Sequence, residues 1–417
     1  MTVHQPPAGA RDLLPLDVTQ KQWIERRLQD AFRRWGYHRI ITSTLERLDT
    51  LMAGGAIDRS TVVQFQNNDD ELLGLRPELT ASIARAAVSR LSDSSFPQRL
   101  YYNANVFRRS GGNAYGRQQE FYQAGVELLG ASGPLADAEV LLLLADSLDR
   151  LGVEDVQVVL GEAQLTRSLL EPFPEPSRTA IRAAIADLDY VTLETLDLSP
   201  EHRDRALNLF NLRGTPEEVL ERLQTFDLPE NAQQALDNLR ALLGILKATQ
   251  PDFYGQIVLD LSLIETFNYY TGIVFEVVGH SRGDRQLLGK GGRYDQLLEL
   301  YHPQHHACSG IGFSFNLEDL HHLLLSGDQL PEQTPSSDWL VVPRSPEAQA
   351  AAFAFAGQLR QKEDLIRVEL CLDHPVEADR LRDSARRRRV TQIAWVEADG
   401  SSETELVNEL VNSEPSS

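Results

Sequence analysis

The sequence predicts an α+β fold: an antiparallel sheet flanked by helices, a helical insertion within it, and a small α/β domain after it. Three observations carry this. Strand-like alternation at 100–106 and again at 124–129 is separated by a loop rather than a crossover helix, which favours antiparallel pairing. From about 166 to 250, strand signals fade and helical patterns alternate with proline breaks. Past a stretch at 326–338 bearing Gly, two Pro and several Ser, strand patterns alternate with helical ones. The expected divisions are therefore 1–165 and 251–325 for the two parts of the core, 166–250 for the insertion, 326–338 for a linker and 339–417 for the small α/β domain. A chain of 417 residues exceeds what one hydrophobic core usually organises.

Taken in order, Ile24, Leu28, Phe32 and Trp35 recur with the period of one buried helical face, in a helix beginning near Pro15 and stopped by Gly36. Residues 62–65 and 72–75 read as strands around a polar turn, Gln66-Asn67-Asn68-Asp69-Asp70-Glu71. A helix is expected at 80–91, and Leu100, Tyr102, Ala104 and Val106 mark a half-buried strand with 124–129 as its partner. Residues 137–151 form a helix closed by Gly152. Strand patterns resume at 257–261 and 273–278; a helix should follow, then a strand at 310–315 and a closing helix at 316–325. In the last domain the strands are 339–343, 366–370 and 392–396. No glycine fingerprint of a dinucleotide fold is present.

Composition narrows the function. With 40 Lys+Arg against 61 Asp+Glu the net charge is −21, which disfavours nucleic acid as main partner. No apolar run reaches the ~20 residues that span a bilayer, and no secretory leader precedes the first helix. Two cysteines, Cys308 and Cys371, cannot build a disulfide framework, so a cytoplasmic location is expected. His302, His305, His306 and Cys308 match no standard zinc spacing, and neither metal nor cofactor is expected.

Four segments carry binding chemistry. Leu75-Arg76-Pro77-Glu78-Leu79-Thr80 sets charged and hydroxyl groups between a strand and a helix. Phe107-Arg108-Arg109-Ser110, with the stretch from Gly116 to Glu127, gathers charges and amides around a loop. In it Gln123 and Glu127 share a face, and Gly125 leaves space between them. Phe267-Asn268-Tyr269-Tyr270-Thr271-Gly272 and Gly289-Lys290-Gly291-Gly292-Arg293-Tyr294-Asp295 place tyrosines beside glycines.

In order and spacing these segments, with the opening Pro7-Ala8-Gly9-Ala10-Arg11-Asp12-Leu13-Leu14-Pro15, resemble the class II histidyl-tRNA synthetase core over about residues 6–325. The C-terminal domain resembles a shortened anticodon-binding domain. The resemblance implies a class II synthetase-like sheet and a histidine pocket made of Glu78, Thr80, Arg108, Gln123, Glu127, Tyr269, Tyr270 and Tyr294. These types suit the ligand, since carboxylates, an amide and tyrosine hydroxyls can hold an ammonium and both imidazole nitrogens.

The same resemblance exposes losses. Adenylate chemistry needs cations on the phosphates, and the family supplies arginines, whose planar fork suits phosphate. Arg108 is kept. The family's other arginines become Gln119, Glu265 and Asp319, its motif glutamate becomes Ser110, and its first-motif proline becomes Ser43. Acids at a phosphate site should repel, by about 1–4 kcal/mol per contact at ~4 Å. No catalytic residue is therefore assigned, and the chain is not expected to be an enzyme.

A synthetase-like core that keeps its histidine pocket without phosphate apparatus is similar to the ATP phosphoribosyltransferase regulatory subunits. That implies a non-catalytic role in the first step of histidine biosynthesis. The implied partners are the short-form catalytic subunit, histidine as feedback effector, and a second copy in a homodimer built on the N-terminal helix and first-motif region, inside a hetero-oligomer. Two other readings remain open at this point. One is an active histidyl-tRNA synthetase, which would catalyse histidine-dependent ATP–pyrophosphate exchange. The other is a synthetase-derived module sensing tRNA or an amino acid. The run Arg386-Arg387-Arg388-Arg389 would serve such a module, but on a helix it spans every face and reads as solvated surface.

Overall fold

The computed structural model describes residues 4, 6–7, 9–53, 55, 57–91, 97–109, 118–262, 270–281, 284–327, 329–361, 365–373 and 377–407. The chain divides into two compact units, Met1–Pro331 and Glu332–Ser417.

In the first unit the Pro15–Arg34 helix buries Ile24, Leu28 and Phe32 as its period predicts. Asp17 accepts the Leu14 N–H at 2.9 Å and so caps its start. Gly36 ends it with a left-handed φ of +79°. Trp35 is only partly buried; its ring N–H reaches Asp146 of the Pro134–Leu151 helix at 3.0 Å.

The strands, in chain order, begin with β1 (His38–Arg39), β2 (Leu45–Arg47), β3 (Gln64–Gln66) and β4 (Leu72–Leu75). The expected hairpin pairs Gln66 with Leu72, and β2 adds on the other side of β4 to make a three-stranded sheet. The long strands β5 (Gln98–Phe107) and β6 (Glu120–Leu129) pair antiparallel throughout. Next come β7 (Val156–Glu162), β8 (Arg213–Gly214), β9 (Ile257–Asp260), β10 (Ile273–Ser281), β11 (Asp284–Arg293) and β12 (Gly310–Asn316). They complete a nine-stranded sheet in the order β1-β5-β6-β12-β11-β10-β7-β9-β8. It is antiparallel except where β1 meets β5 and β7 meets β9.

Two features differ from the sequence expectation. An unpredicted strand, β11, follows β10, and the expected helix comes after it as the short Leu297–Tyr301 helix. The strand's Gly-Lys-Gly-Gly reads as a turn, yet these glycines answer packing. A Cβ at Gly291 would lie 2.4 Å from the Gly312 carbonyl oxygen, and one at Gly292 would lie 2.7 Å from the Tyr270 ring. The stretch between 166 and 250 is mostly helical, but β8 within it pairs with β9 and ties it to the sheet.

The rear face of the sheet is closed by the Pro15–Arg34, Pro134–Leu151 and Leu317–Leu325 helices over a core that includes Phe32, Leu141, Phe313 and Leu320. On the front face the Thr80–Arg90 helix packs Ile83, Ala87 and Val88 against Leu100 and Leu298. This helix covers only part of the front, and the cleft described below opens beside its N-terminus.

The second unit has four strands: β13 (Trp339–Pro343), β14 (Val368–Leu370), β15 (Gln392–Val396) and β16 (Ser402–Leu406). Their order is β14-β13-β15-β16, parallel among the first three and antiparallel at the β16 edge. β16 is polar, which hides it from hydropathy. It pairs its charges instead, Glu403 with Arg344 and Glu405 with Arg382. The Gln349–Arg360 helix buries Ala352, Ala356 and Leu359 on one side of this sheet.

Candidate functional site

The front-face cleft is lined by Glu78, Thr80, Arg108, Gln123, Glu127, Tyr270 and Tyr294, seven of the eight side chains expected from sequence, and encloses about 40 Å³. The eighth, Tyr269, lies outside the described residues, as do Ser110 and Glu265.

Register explains the convergence. Tyr102, Gly125, Ser314, Lys290 and Glu276 stand opposite one another in a row across β5, β6, β12, β11 and β10. The next row on that face is Leu100, Glu127, Gly312, Gly292 and Val274. Glycines beside Glu127 make the room: a Cβ at Gly312 would lie 2.0 Å from the Glu127 Oε2. At Gly125 it would meet the Phe313 carbonyl oxygen at 2.3 Å and the Tyr102 hydroxyl at 2.7 Å. Gly292 and Gly310 likewise seat the rings of Tyr270 and Tyr294.

Glu127 is the centre of the site. It is 2% exposed and accepts hydrogen bonds from the Tyr294 hydroxyl and, at 2.8 Å, from Thr80 Oγ1. Burial pushes its carboxyl up to about 8, against the pull of those two donors and with the nearby Glu78 adding to the rise. Glu78 also performs a structural duty. Its carboxylate accepts the backbone N–H of Thr80 at 2.6 Å and of Ala81 at 2.9 Å, capping the Thr80–Arg90 helix. Burial raises its carboxyl too, partly offset by those bonds and by Arg108. Arg108 is held by its Nε donating to the Pro77 carbonyl at 2.9 Å. Gln123 is 8% exposed on β6.

Sequence reasoning missed Lys290, Tyr102 and Ser314, all of which line the cleft. Lys290 stood inside a quoted motif, and alternation along β11 would have put it on the Glu127 face once that segment was read as a strand. Two cations and two carboxylates therefore share one small cleft, a pattern that complements a zwitterion.

Asp319 corrects the repulsion argument. It does not line the cleft; its carboxylate accepts from Gln286 at 3.0 Å, and burial raises it. Its neighbour Glu318 accepts the Tyr122 N–H at 3.1 Å. What the substitution does is remove a cation rather than aim an anion at a ligand. Gln119 acts through its backbone, accepting from Arg108 N and donating to the Gly9 carbonyl, both at 2.8 Å. Ser43 donates its hydroxyl to the Leu45 carbonyl at 2.7 Å.

Two lesser features fall into place. In the basic run, Arg386 pairs with Asp383 at 2.8 Å and Arg388 pairs with Glu369, so local acids already answer part of that charge. His302 and His306 stack with ring centroids 4.7 Å apart. Among the described residues no three His, Cys, Asp or Glu side chains converge as a metal group. No helix among them is long and apolar enough to cross a membrane.

Comparison with known proteins identifies the family and the fold. The histidyl-tRNA synthetase family model matches residues 9–320. The ATP phosphoribosyltransferase regulatory subunit of Nostoc sp. (strain PCC 7120) is 56% identical over 407 residues, spanning 98% of this chain and all of that one. Its counterpart from Picosynechococcus sp. is 54% identical over 406 residues, covering 97% of this chain and 100% of that one. The chain belongs to the ATP phosphoribosyltransferase regulatory subunit family. Among solved structures, a regulatory subunit/histidyl-tRNA synthetase from Bacillus halodurans superposes with a TM-score of 0.80 at 27% identity, covering 95% of this chain and 99% of that one. A histidyl-tRNA synthetase from Nostoc sp. PCC 7120 superposes with a TM-score of 0.77, covering 99% of each chain; at 19% identity it speaks to the fold alone. The fold is thus class II synthetase-like, and the family places the chain with regulatory subunits rather than active synthetases.

Proposed function

We propose that this chain is a non-catalytic subunit that assembles with the short-form ATP phosphoribosyltransferase catalytic subunit, supports the first step of histidine biosynthesis in the cytoplasm, and carries histidine feedback. Histidine occupies the front cleft, with Glu127 and Tyr294 on one end of the ligand and Arg108 and Lys290 toward its carboxylate. The observation that carries this reading is Glu127: a buried carboxyl held by Thr80 and Tyr294 in a cleft that glycines keep open. A buried acid near its neutral form is costly to ionise alone, and a cationic ligand removes that cost. Binding then acts by linkage: histidine shifts the assembly toward whichever arrangement holds it better.

Self-association belongs to the same reading. Ile41, Leu45, Phe65 and Leu72 leave large apolar areas exposed around the β2-β4-β3 sheet, in the first-motif region. A homodimer would cover them. With a net charge of −21 and paired arginines in the basic run, tRNA is not a partner in this account.

The test is co-purification with the short-form catalytic subunit, followed by assay of the complex with and without histidine. Wild-type complex should lose activity as histidine is added, and a Glu127→Gln complex should stay active but insensitive. Failure of the two proteins to associate overturns the assembly claim; equal inhibition of the Glu127→Gln complex overturns the assignment of the effector to the cleft.

A further inference from the structure

We propose that a second cavity, on the rear of the sheet, binds a small polar molecule carrying a cationic nitrogen. It lies at the end of the sheet, encloses about 480 Å³, and shares none of its lining with the front cleft. Neighbouring residues on one strand point to opposite faces, so Arg293 and Glu162 turn rearward while Gly292 and Gly161 line the front rows.

The floor is charged and well built. Arg293, 5% exposed, donates from Nε and Nη2 to Asp137 Oδ1 at 2.8 and 2.6 Å, and from Nη1 to Asp295 at 2.9 Å. The other oxygen of Asp137 accepts no hydrogen bond among the described residues, although that residue is only 6% exposed. One guanidinium therefore faces two carboxylates, and Glu162 adds a third. Burial pushes the Glu162 carboxyl up to about 7. It already caps the Ala163–Leu170 helix by accepting the Leu165 N–H, which answers the positive end of that helix.

The rim is made of amides. Asn231, Gln234 and Asn238 follow one another at three and four residues along one face of the Glu230–Thr249 helix. Gln164 closes the ring and is tied to that helix by its Nε2 donating to the Asn231 carbonyl at 3.2 Å. Excess carboxylate disfavours an anion, the amide rim disfavours an apolar guest, and no metal-ready trio stands here among the described residues. An ammonium or guanidinium on a hydrogen-bonding body fits all three facts.

The experiment uses the full-length chain and four probes: agmatine, putrescine, L-arginine and L-histidine, followed by titration calorimetry and thermal melting at neutral pH. At least one of the first three should bind and raise the melting temperature. Asp295→Asn and Asn238→Arg should each weaken that binding by about tenfold or more, as loss of a charge-assisted hydrogen bond does. Asn238 is exposed, so its replacement leaves the fold intact and places a guanidinium of the chain's own at the rim. Glu127→Gln should leave the response unchanged, which separates this cavity from the effector cleft. The proposal is overturned if none of agmatine, putrescine and arginine binds at millimolar concentration. It is equally overturned if both cavity variants bind like wild type, or if Glu127→Gln alone abolishes the response.

Discussion

Tyr294 donates its phenolic proton to the buried carboxylate of Glu127, linking the end of β11 to β6 across β12. The pair makes Glu127 both the polar anchor of the cleft and its titrating group. Since burial raises the carboxyl to about 8, a cationic ligand must draw it back to its ionised form. Histidine binding at pH 7 should therefore release protons, and affinity should rise from pH 7 to pH 8. Calorimetry in two buffers of different ionisation enthalpy measures this; identical heats in both would contradict it.

The same group sets a pH dependence of stability. The folded-state value lies above the ~4.3 of an unfolded glutamate, so between the two the folded chain holds more protons. The stability Glu127 contributes is complete below pH ~4.3 and is lost as pH rises toward 8. Glu127→Gln removes this dependence. The unliganded variant should melt no lower than wild type at pH 8, while its histidine affinity falls by about 10- to 100-fold through loss of charge-assisted bonds worth ~1.5–3 kcal/mol.

The glycines beside Glu127 are as necessary as the acid. In Gly312→Ala the new methyl would meet both Glu127 Oε2 and, at 2.3 Å, the Val126 carbonyl oxygen. Backbone cannot yield as a flexible side chain does, so overpacking should cost about 1–3 kcal/mol and abolish histidine binding. Denaturant melts and calorimetry read the two effects.

Arg293 anchors the rear network, with Asp137 and Asp295 as its partners. Arg293→Met leaves the 6% exposed Asp137 without its cation, which should cost about 3–5 kcal/mol. Adding Asp137→Leu to it should recover part of that loss. A double variant no more stable than the single would show that the pair matters for shape rather than charge.

Most of the framework was legible because it follows periodicity. The Pro15–Arg34 helix buries Ile24, Leu28 and Phe32 and the β5–β6 pair buries Leu100, Tyr102 and Val106 as their spacing marks, while the β3–β4 hairpin forms around its polar turn with Phe65 and Leu72 exposed. Two kinds of strand escaped. β11 hides because three of its residues are glycines kept for close approach of neighbours, and glycine otherwise signals a turn. β16 hides because Glu403 and Glu405 stabilise it through ion pairs rather than burial. Missing β11 also cost the site its lysine, since only the strand register sets Lys290 opposite Ser314 and Glu276. Asp319 was readable as a lost arginine, but not as a group turned away to Gln286, because a substitution reports chemistry and not direction.

The most direct test of the account is phosphoribosyl transfer by the short-form catalytic subunit, measured alone and after addition of this chain. The catalytic subunit should be inactive or nearly so alone and gain activity in proportion to added chain until the complex is saturated, while the chain by itself charges no tRNA with histidine. Unchanged transfer activity, or histidylation of tRNA by the chain alone, would contradict it.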